Sequence, residues 1–139
     1  MKISSVAIDI AVATALCLPA CSNVSSREVR QAAVLTDGGN ARAGVRAIRK
    51  YGCNACHTIS GIPGARGLVG PSLDGIADGS YLAGELSNTP ANMMHWIQHP
   101  RQVEPHTIMP EMNVSEDDSR DIAAYLYTLH ANQSFLNSF

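Results

Sequence analysis

Cys53-Asn54-Ala55-Cys56-His57 follows Gly52 and opens onto a stretch punctuated by glycine and proline, and its reading decides what the rest of the chain must build. Two thiols three positions apart can reach two neighbouring vinyl groups on one edge of a porphyrin, forming thioethers. The next residue then turns under the ring, so that its imidazole meets the iron. This C-x-x-C-H spacing is the attachment pattern of a c-type haem. Two other chemistries use paired cysteines. A zinc knuckle on Cys53, Cys56 and distant histidines normally needs a second compact pair, and the only other cysteines, Cys17 and Cys21, lie in the N-terminal segment. A thiol-disulfide motif has no use for a histidine directly after its second cysteine. The motif therefore predicts one covalent haem c, bonded to Cys53 and Cys56 with His57 as an axial iron ligand.

Working outward, 139 residues leave room for one domain and one small core. Aromatic residues make up only 5% of the chain, so a bulky apolar cofactor would supply volume that the side chains lack. A formal charge of -2 offers no basic excess of the kind nucleic acid demands, which excludes that class of partner. No nucleophile, base or nucleotide loop suggests an enzyme, so neither catalytic residues nor a small-molecule substrate are expected.

The N-terminus reads as a targeting segment. Lys2 precedes an apolar run from Ala11 to Leu18 that is too short to span a bilayer but suits a signal peptide. Leu18-Pro19-Ala20-Cys21 resembles the bacterial lipobox, which implies a signal over residues 1–20 and a lipid anchor at Cys21. Residues 21–40, rich in Ser, Arg, Asn and Gly, read as anchor and flexible tether with a reach of roughly 25 Å, or shorter where Val29 to Leu35 forms a helix. The globular domain is expected over 41–139. An exported lipoprotein of this kind sits on the periplasmic or another extracytoplasmic face of a membrane.

Within the domain, periodicity and end signals predict three helices. The first runs from about Ala41 to Tyr51 with Gly52 as its stop. A second starts near Thr89, carries Pro90 in its first turn and ends before Pro100. The last is capped by Ser115, has Glu116, Asp117 and Asp118 in its first turn, and carries Ile122, Tyr125, Leu126 and Leu129 on one face. A short helical turn is expected around Leu73 to Ala77. No strand pattern is evident, so the fold class is all-α.

From Ala41 to His130 the chain resembles the class I, mono-haem cytochromes c, and it is similar above all to the haem domain fused to subunit II of some haem-copper oxidases. The residues that carry the resemblance are Gly44, Cys53 to His57, Gly70-Pro71-Ser72-Leu73, Asn88-Thr89-Pro90, Trp96-Ile97 with Pro100, Pro105, Thr107-Ile108-Met109-Pro110 and Tyr125-Leu126. The resemblance implies a small fold in which the first and last helices cross at Gly44, with Tyr125 near the crossing. It implies that the Pro71 carbonyl accepts a hydrogen bond from His57, and that Met109 is the sixth ligand. Met109 stands in a non-helical stretch where a loop can bring its sulfur over the ring, with Met112 the rival and Met93 and Met94 read as core fillers. Trp96 and Thr107 match positions that line the haem pocket or bond near a propionate, Trp96 being equally readable as core.

The copper domain and membrane helices of the oxidase subunit do not precede this haem domain in the sequence. The expected function is that of an electron carrier between membrane-bound redox complexes, linked to a respiratory chain and to the membrane by its lipid. Two alternatives stand beside it: a permanent electron-entry subunit of an oxidase or dehydrogenase, and a haem-based gas sensor with a weak sixth ligand. His95, His99 and His106 have a spacing that could hold a metal, but read as a solvated face. His130 is placed to favour the C-terminal dipole of the last helix.

Overall fold

The structure, a computed structural model, describes residues 25–131. The expected signal over 1–20 and the expected anchor at Cys21 lie outside the described residues.

The helical expectation holds. Helix α2, Ala41–Lys50, is capped by Asn40, whose side chain accepts from the Arg42 and Ala43 N–H groups, and it ends where Gly52 turns the chain at φ 74. Its apolar stripe of Ala41, Gly44, Ala47 and Ile48 is buried. The stripe faces the last helix, α6, Glu116–Leu126, which buries Ile122, Ala123, Tyr125 and Leu126. At the crossing the backbones nearly touch: a Cβ built on Gly44 would lie 2.2 Å from the Asp121 carbonyl oxygen. Polar ties fasten both ends of the pair. The Asn40 N–H donates to Asp121 Oδ1 at 2.8 Å, while Lys50 Nζ and the Tyr51 hydroxyl both donate to Asp118 Oδ2 at 2.7 Å. These bonds fix the angle of a pair whose apolar seam is narrow.

Between the paired helices the chain forms α3, Cys53–Cys56, then a looped stretch ending in a 3-10 turn at Ile76–Asp78, close to the helical turn expected there. Helix α4, Pro90–Gln98, has Thr89 as N-cap and Pro90 in its first turn, and buries Met93 and Ile97 on the core. The chain then re-enters a short helix, α5, Pro100–Val103, where only a break was expected. Proline forbids continuation of α4 yet suits the first turn of a new helix. One antiparallel pair, β1 Tyr81–Leu82 and β2 Leu86–Ser87, also departs from the strand-free expectation. Its turn runs through Ala83 and Gly84 at φ 52 and 79, a geometry the sequence Ala-Gly advertises weakly.

On the N-terminal side the helical alternative to a flexible tether, expected over Val29 to Leu35, is the one the structure takes, and the helix starts earlier. Part of the expected flexible tether over 21–40 is a helix, α1, Ser26–Leu35. Ser25 and Glu28 form a reciprocal cap, and Ala32 and Thr36 are buried on the side facing α6. Only three residues, 22–24, separate Cys21 from Ser25, a span of roughly 14 Å at full extension. That is well short of the reach a fully flexible tether would have.

Candidate haem attachment site

Gly52, in the left-handed region at φ 74, reverses the chain after α2 so that Cys53 to Cys56 form a single helical turn. Both thiols are free and half-buried, and burial pushes the Cys53 thiol above its ordinary pKa. His57 leaves the turn in extended conformation, at φ -109 and ψ 145. Its Nδ1 lies 2.7 Å from the Pro71 carbonyl oxygen. A carbonyl can only accept, so Nδ1 carries the proton and donates it, leaving Nε2 with its lone pair available to a metal.

The loop that holds His57 is shaped by two missing side chains. A Cβ on Gly67 would lie 2.4 Å from the Ala55 carbonyl oxygen, and one on Gly70 would lie 2.4 Å from His57 Cε1. Glycine at both places lets the loop lie flat against the Cys-His turn. The Gly70 N–H donates to Cys56 O at 2.9 Å, the Leu73 N–H to Thr58 O at 2.9 Å, and the Thr58 hydroxyl to Gly67 O at 3.1 Å. The segment beyond His57 is braced as well. The Ser60 N–H donates to Asp74 Oδ1 at 2.7 Å, and the Tyr125 hydroxyl donates to Ser60 O at 2.6 Å. Burial, aided by the Asp74 charge, pushes the Tyr125 phenol up to about 12. Tyr125 thus spans the helix crossing and the segment after His57.

The four methionines of the domain divide clearly. Met93 is fully buried, Met94 and Met112 pack against the core, and Met109 is half-buried without joining that core. Met109 sits in a turn made by Thr107, whose N–H donates to Glu104 O at 3.0 Å and whose hydroxyl accepts from the Met109 N–H at 3.2 Å. Thr107 therefore fixes the backbone at Met109. Trp96 is also half-buried and outside the core cluster.

Some residues that organise the site went unassigned in the sequence reading. Asn88 donates from Nδ2 to Ile76 O at 2.8 Å and to Gly79 O at 2.7 Å, and its Oδ1 accepts from the Tyr127 hydroxyl at 2.8 Å. It thereby joins the 3-10 turn to the end of α6. Asp74 and Gly67 carry no local signal beyond the Gly-x-x-Gly spacing of 67–70. The His95 and His99 rings meet at a tilt of 56° with centroids 5.6 Å apart, and His99 Nδ1 lies 3.9 Å from Glu111. Among the described residues no three His, Cys, Asp or Glu side chains come together to hold a metal ion. His130, expected to act on the helix dipole, instead bonds the Asp78 carboxylate, which lies below its ordinary pKa because the Ala131 N–H and His130 both bond it.

The donor set fits a haem c: two free thiols on one turn, an imidazole with Nε2 available, and a thioether kept out of the core. Apolar side chains beside those donors in sequence are left uncovered, Leu68 at 90%, Val69 at 64% and Ile108 at 75% exposure. No described helix is long and apolar enough to cross a membrane. Residues 41–130 match the family model described as Cytochrome c. No curated protein and no solved structure matches the chain. The family match spans well over half of the sequence and begins at the first residue of α2. The chain belongs to the cytochrome c family, whose members transfer electrons through covalently bound haem c.

Proposed function

We propose that this cytochrome c carries one haem, bonded to Cys53 and Cys56 and ligated by His57 and Met109, and shuttles single electrons between membrane-associated redox complexes on an extracytoplasmic face. The observation that carries the reading is the His57 Nδ1 to Pro71 bond of 2.7 Å, because it sets the tautomer and the ring orientation that iron ligation requires. Haem c, when bound, supplies the one-electron Fe(II)/Fe(III) couple. The Pro71 carbonyl makes His57 a stronger donor, and Gly70 keeps the ring from being pushed aside. Met109 offers a soft neutral thioether that would favour reduced iron and would compete with exogenous ligands for it.

His57 and Met109 would hold the iron between them, so no substrate would have to reach the metal. Exposed apolar side chains such as Leu68, Val69 and Ile108 suit brief, weak docking. The lipobox reading of Cys21 places the carrier on a membrane, where tethering raises its local concentration beside partner complexes. Replacing Cys21→Ser then releases the protein from the membrane fraction, and undiminished retention speaks against the anchor.

The ferric absorption spectrum tests the ligation. Met109→Ala loses the far-red sulfur-to-iron band, lowers the reduction potential and opens the site to exogenous ligands, while Met112→Ala keeps all three properties. The opposite pattern transfers the ligand role to Met112.

A further inference from the structure

Charge is divided unevenly along this chain. Residues 25–52, which hold α1 and α2, carry six Lys or Arg against two Asp or Glu, a net of +4. Residues 53–131 carry three against nine, a net of -6. The formal total of -2 hides that division.

The basic part is concentrated on one side of α2. Arg42, Arg46 and Arg49 are all exposed and recur at i, i+4 and i+7, opposite the buried stripe of Ala41, Gly44, Ala47 and Ile48 that meets α6. Like charges at this spacing repel, and Arg42 stands in the first turn, the end of a helix that disfavours cations. Nothing in the described domain offsets either cost. Among the described residues none of the three guanidinium groups makes an ion pair, and the Arg46 side chain donates to the Arg42 carbonyl oxygen at 3.2 Å. On α6, by contrast, Arg120 pairs with Glu116 at 2.7 Å and with Asp117 at 2.9 Å. Helix α1 packs against α2 and adds Arg27 and Arg30, both exposed and, among the described residues, likewise without an ion pair.

Cations left unanswered on an exposed helix face suit an extended anionic surface. The chain before the described residues, 1–24, ends where α1 starts and holds the apolar run Ala11 to Leu18. Resting on the anchor reading of Cys21, the lipid is three residues from Ser25, so α1 and α2 are the first parts of the domain to meet the bilayer. That proximity favours lipid headgroups over an acidic patch on a soluble protein.

We propose that Arg42, Arg46 and Arg49, with Arg27 and Arg30 on the neighbouring helix, dock the domain on the phosphate headgroups of an anionic bilayer. The contact lays α2 along the membrane. Helix α6, packed on the opposite side of α2 with Glu116 and Asp117 exposed, then faces away from it. The anchor supplies retention and the arginines supply orientation. Each arginine near such a surface is worth roughly fivefold in partitioning at low salt, and salt screens it. The face alone therefore does not hold the protein in a washed membrane fraction.

Vesicle flotation of the Cys21→Ser holoprotein reads this face without the lipid. At low salt, phosphatidylglycerol vesicles are expected to carry the protein up and phosphatidylcholine vesicles to leave it behind, with binding abolished in about 0.5 M salt. A net negative charge by itself predicts repulsion from phosphatidylglycerol, so binding there singles out a segregated basic face. Arg42→Gln with Arg46→Gln is expected to weaken binding roughly thirtyfold. Arg66→Gln with Arg101→Gln removes the same charge from other exposed positions and should weaken it far less. Indifference to both kinds of vesicle overturns the lipid assignment and leaves the face to an acidic protein. Equal binding to both kinds, or equal loss in the two double variants, overturns it too. Failure here leaves the anchor reading standing, since that reading is decided separately by retention of Cys21→Ser in membranes.

Discussion

Replacing Gly44→Ala sets two effects of opposite sign against each other at the crossing of α2 and α6. In a solvated helix the change stabilises by about 1 kcal/mol, because glycine loses more backbone entropy than alanine on folding. Here the new methyl lies 2.2 Å from the Asp121 carbonyl oxygen and 2.9 Å from Tyr125 Cβ, where real contacts essentially never fall under 3.0 Å. The helices must separate by about 1 Å. Overpacking of this kind costs about 1–3 kcal/mol, and a gap of that size forfeits a quarter to a half of the dispersion energy along the seam. The same movement stretches the bonds to Asp121 and Asp118 that close the two ends. We expect a net loss of about 2–4 kcal/mol, which for a domain of this size lowers Tm by roughly 10–25 °C. Thermal unfolding of the purified holoprotein, followed by far-ultraviolet circular dichroism, measures it. Arg46→Ala on the exposed face of the same helix is the control and should stay within about 0.5 kcal/mol. A Gly44→Ala protein as stable as the parent, or more so, refutes the close crossing.

Two further substitutions probe the site and its brace. Gly70→Ala places a methyl against the His57 ring, so we expect the imidazole to be displaced, with a shifted Soret band and an altered reduction potential in a protein that still folds; an unaltered spectrum and potential would sink the claim that Gly70 seats the ring. Tyr125 and Tyr127 are held neutral up to about 12, so ionising them opposes folding. Their contribution is complete below the ordinary tyrosine value near 10 and is lost as pH climbs from there towards 12, about 1–2 kcal/mol for each ring after allowing for solvent screening. Tyr125→Phe removes part of that alkaline decline and forfeits about 1 kcal/mol at neutral pH through the lost bond to Ser60. Denaturant unfolding measured across pH checks both numbers, and a stability that does not fall between pH 10 and 12 would contradict them.

The helices were legible because their ends are chemically marked. Asn40, Thr89 and Ser115 cap the starts, Gly52 and Pro100 stop the runs, and the apolar spacing between those marks is helical. Helix α1 has an equally good cap in Ser25 and Glu28, but its polar composition let only its Val29 to Leu35 portion be read, and that as an alternative to a tether, since only Ala32 is fully buried and the apolar stripe is thin. The hairpin at 81–87 was hidden for another reason. Its two-residue strands are too short to show alternation, and Ala83 adopts φ 52 without being a residue type that favours it.

At the site, the Cys-x-x-Cys-His spacing announces itself from local chemistry alone. The partner of His57 does not, because a backbone carbonyl fourteen positions away leaves no side-chain signature, and only the family resemblance pointed to Pro71. Gly67 and Asn88 show the same limit. Their roles are contacts with backbone atoms remote in sequence, a close approach in one case and a three-way brace in the other.

The central claim is that porphyrin iron is covalently fixed at residues 53 to 57, and one measurement addresses it without intermediaries. The mature protein is purified from cells able to attach haem, denatured, extracted with acidic organic solvent and weighed by mass spectrometry. We predict that the colour stays with the polypeptide and that the peptide holding Cys53 and Cys56 carries the added mass of one haem. Colour that partitions into the solvent, together with two unmodified thiols, contradicts the account.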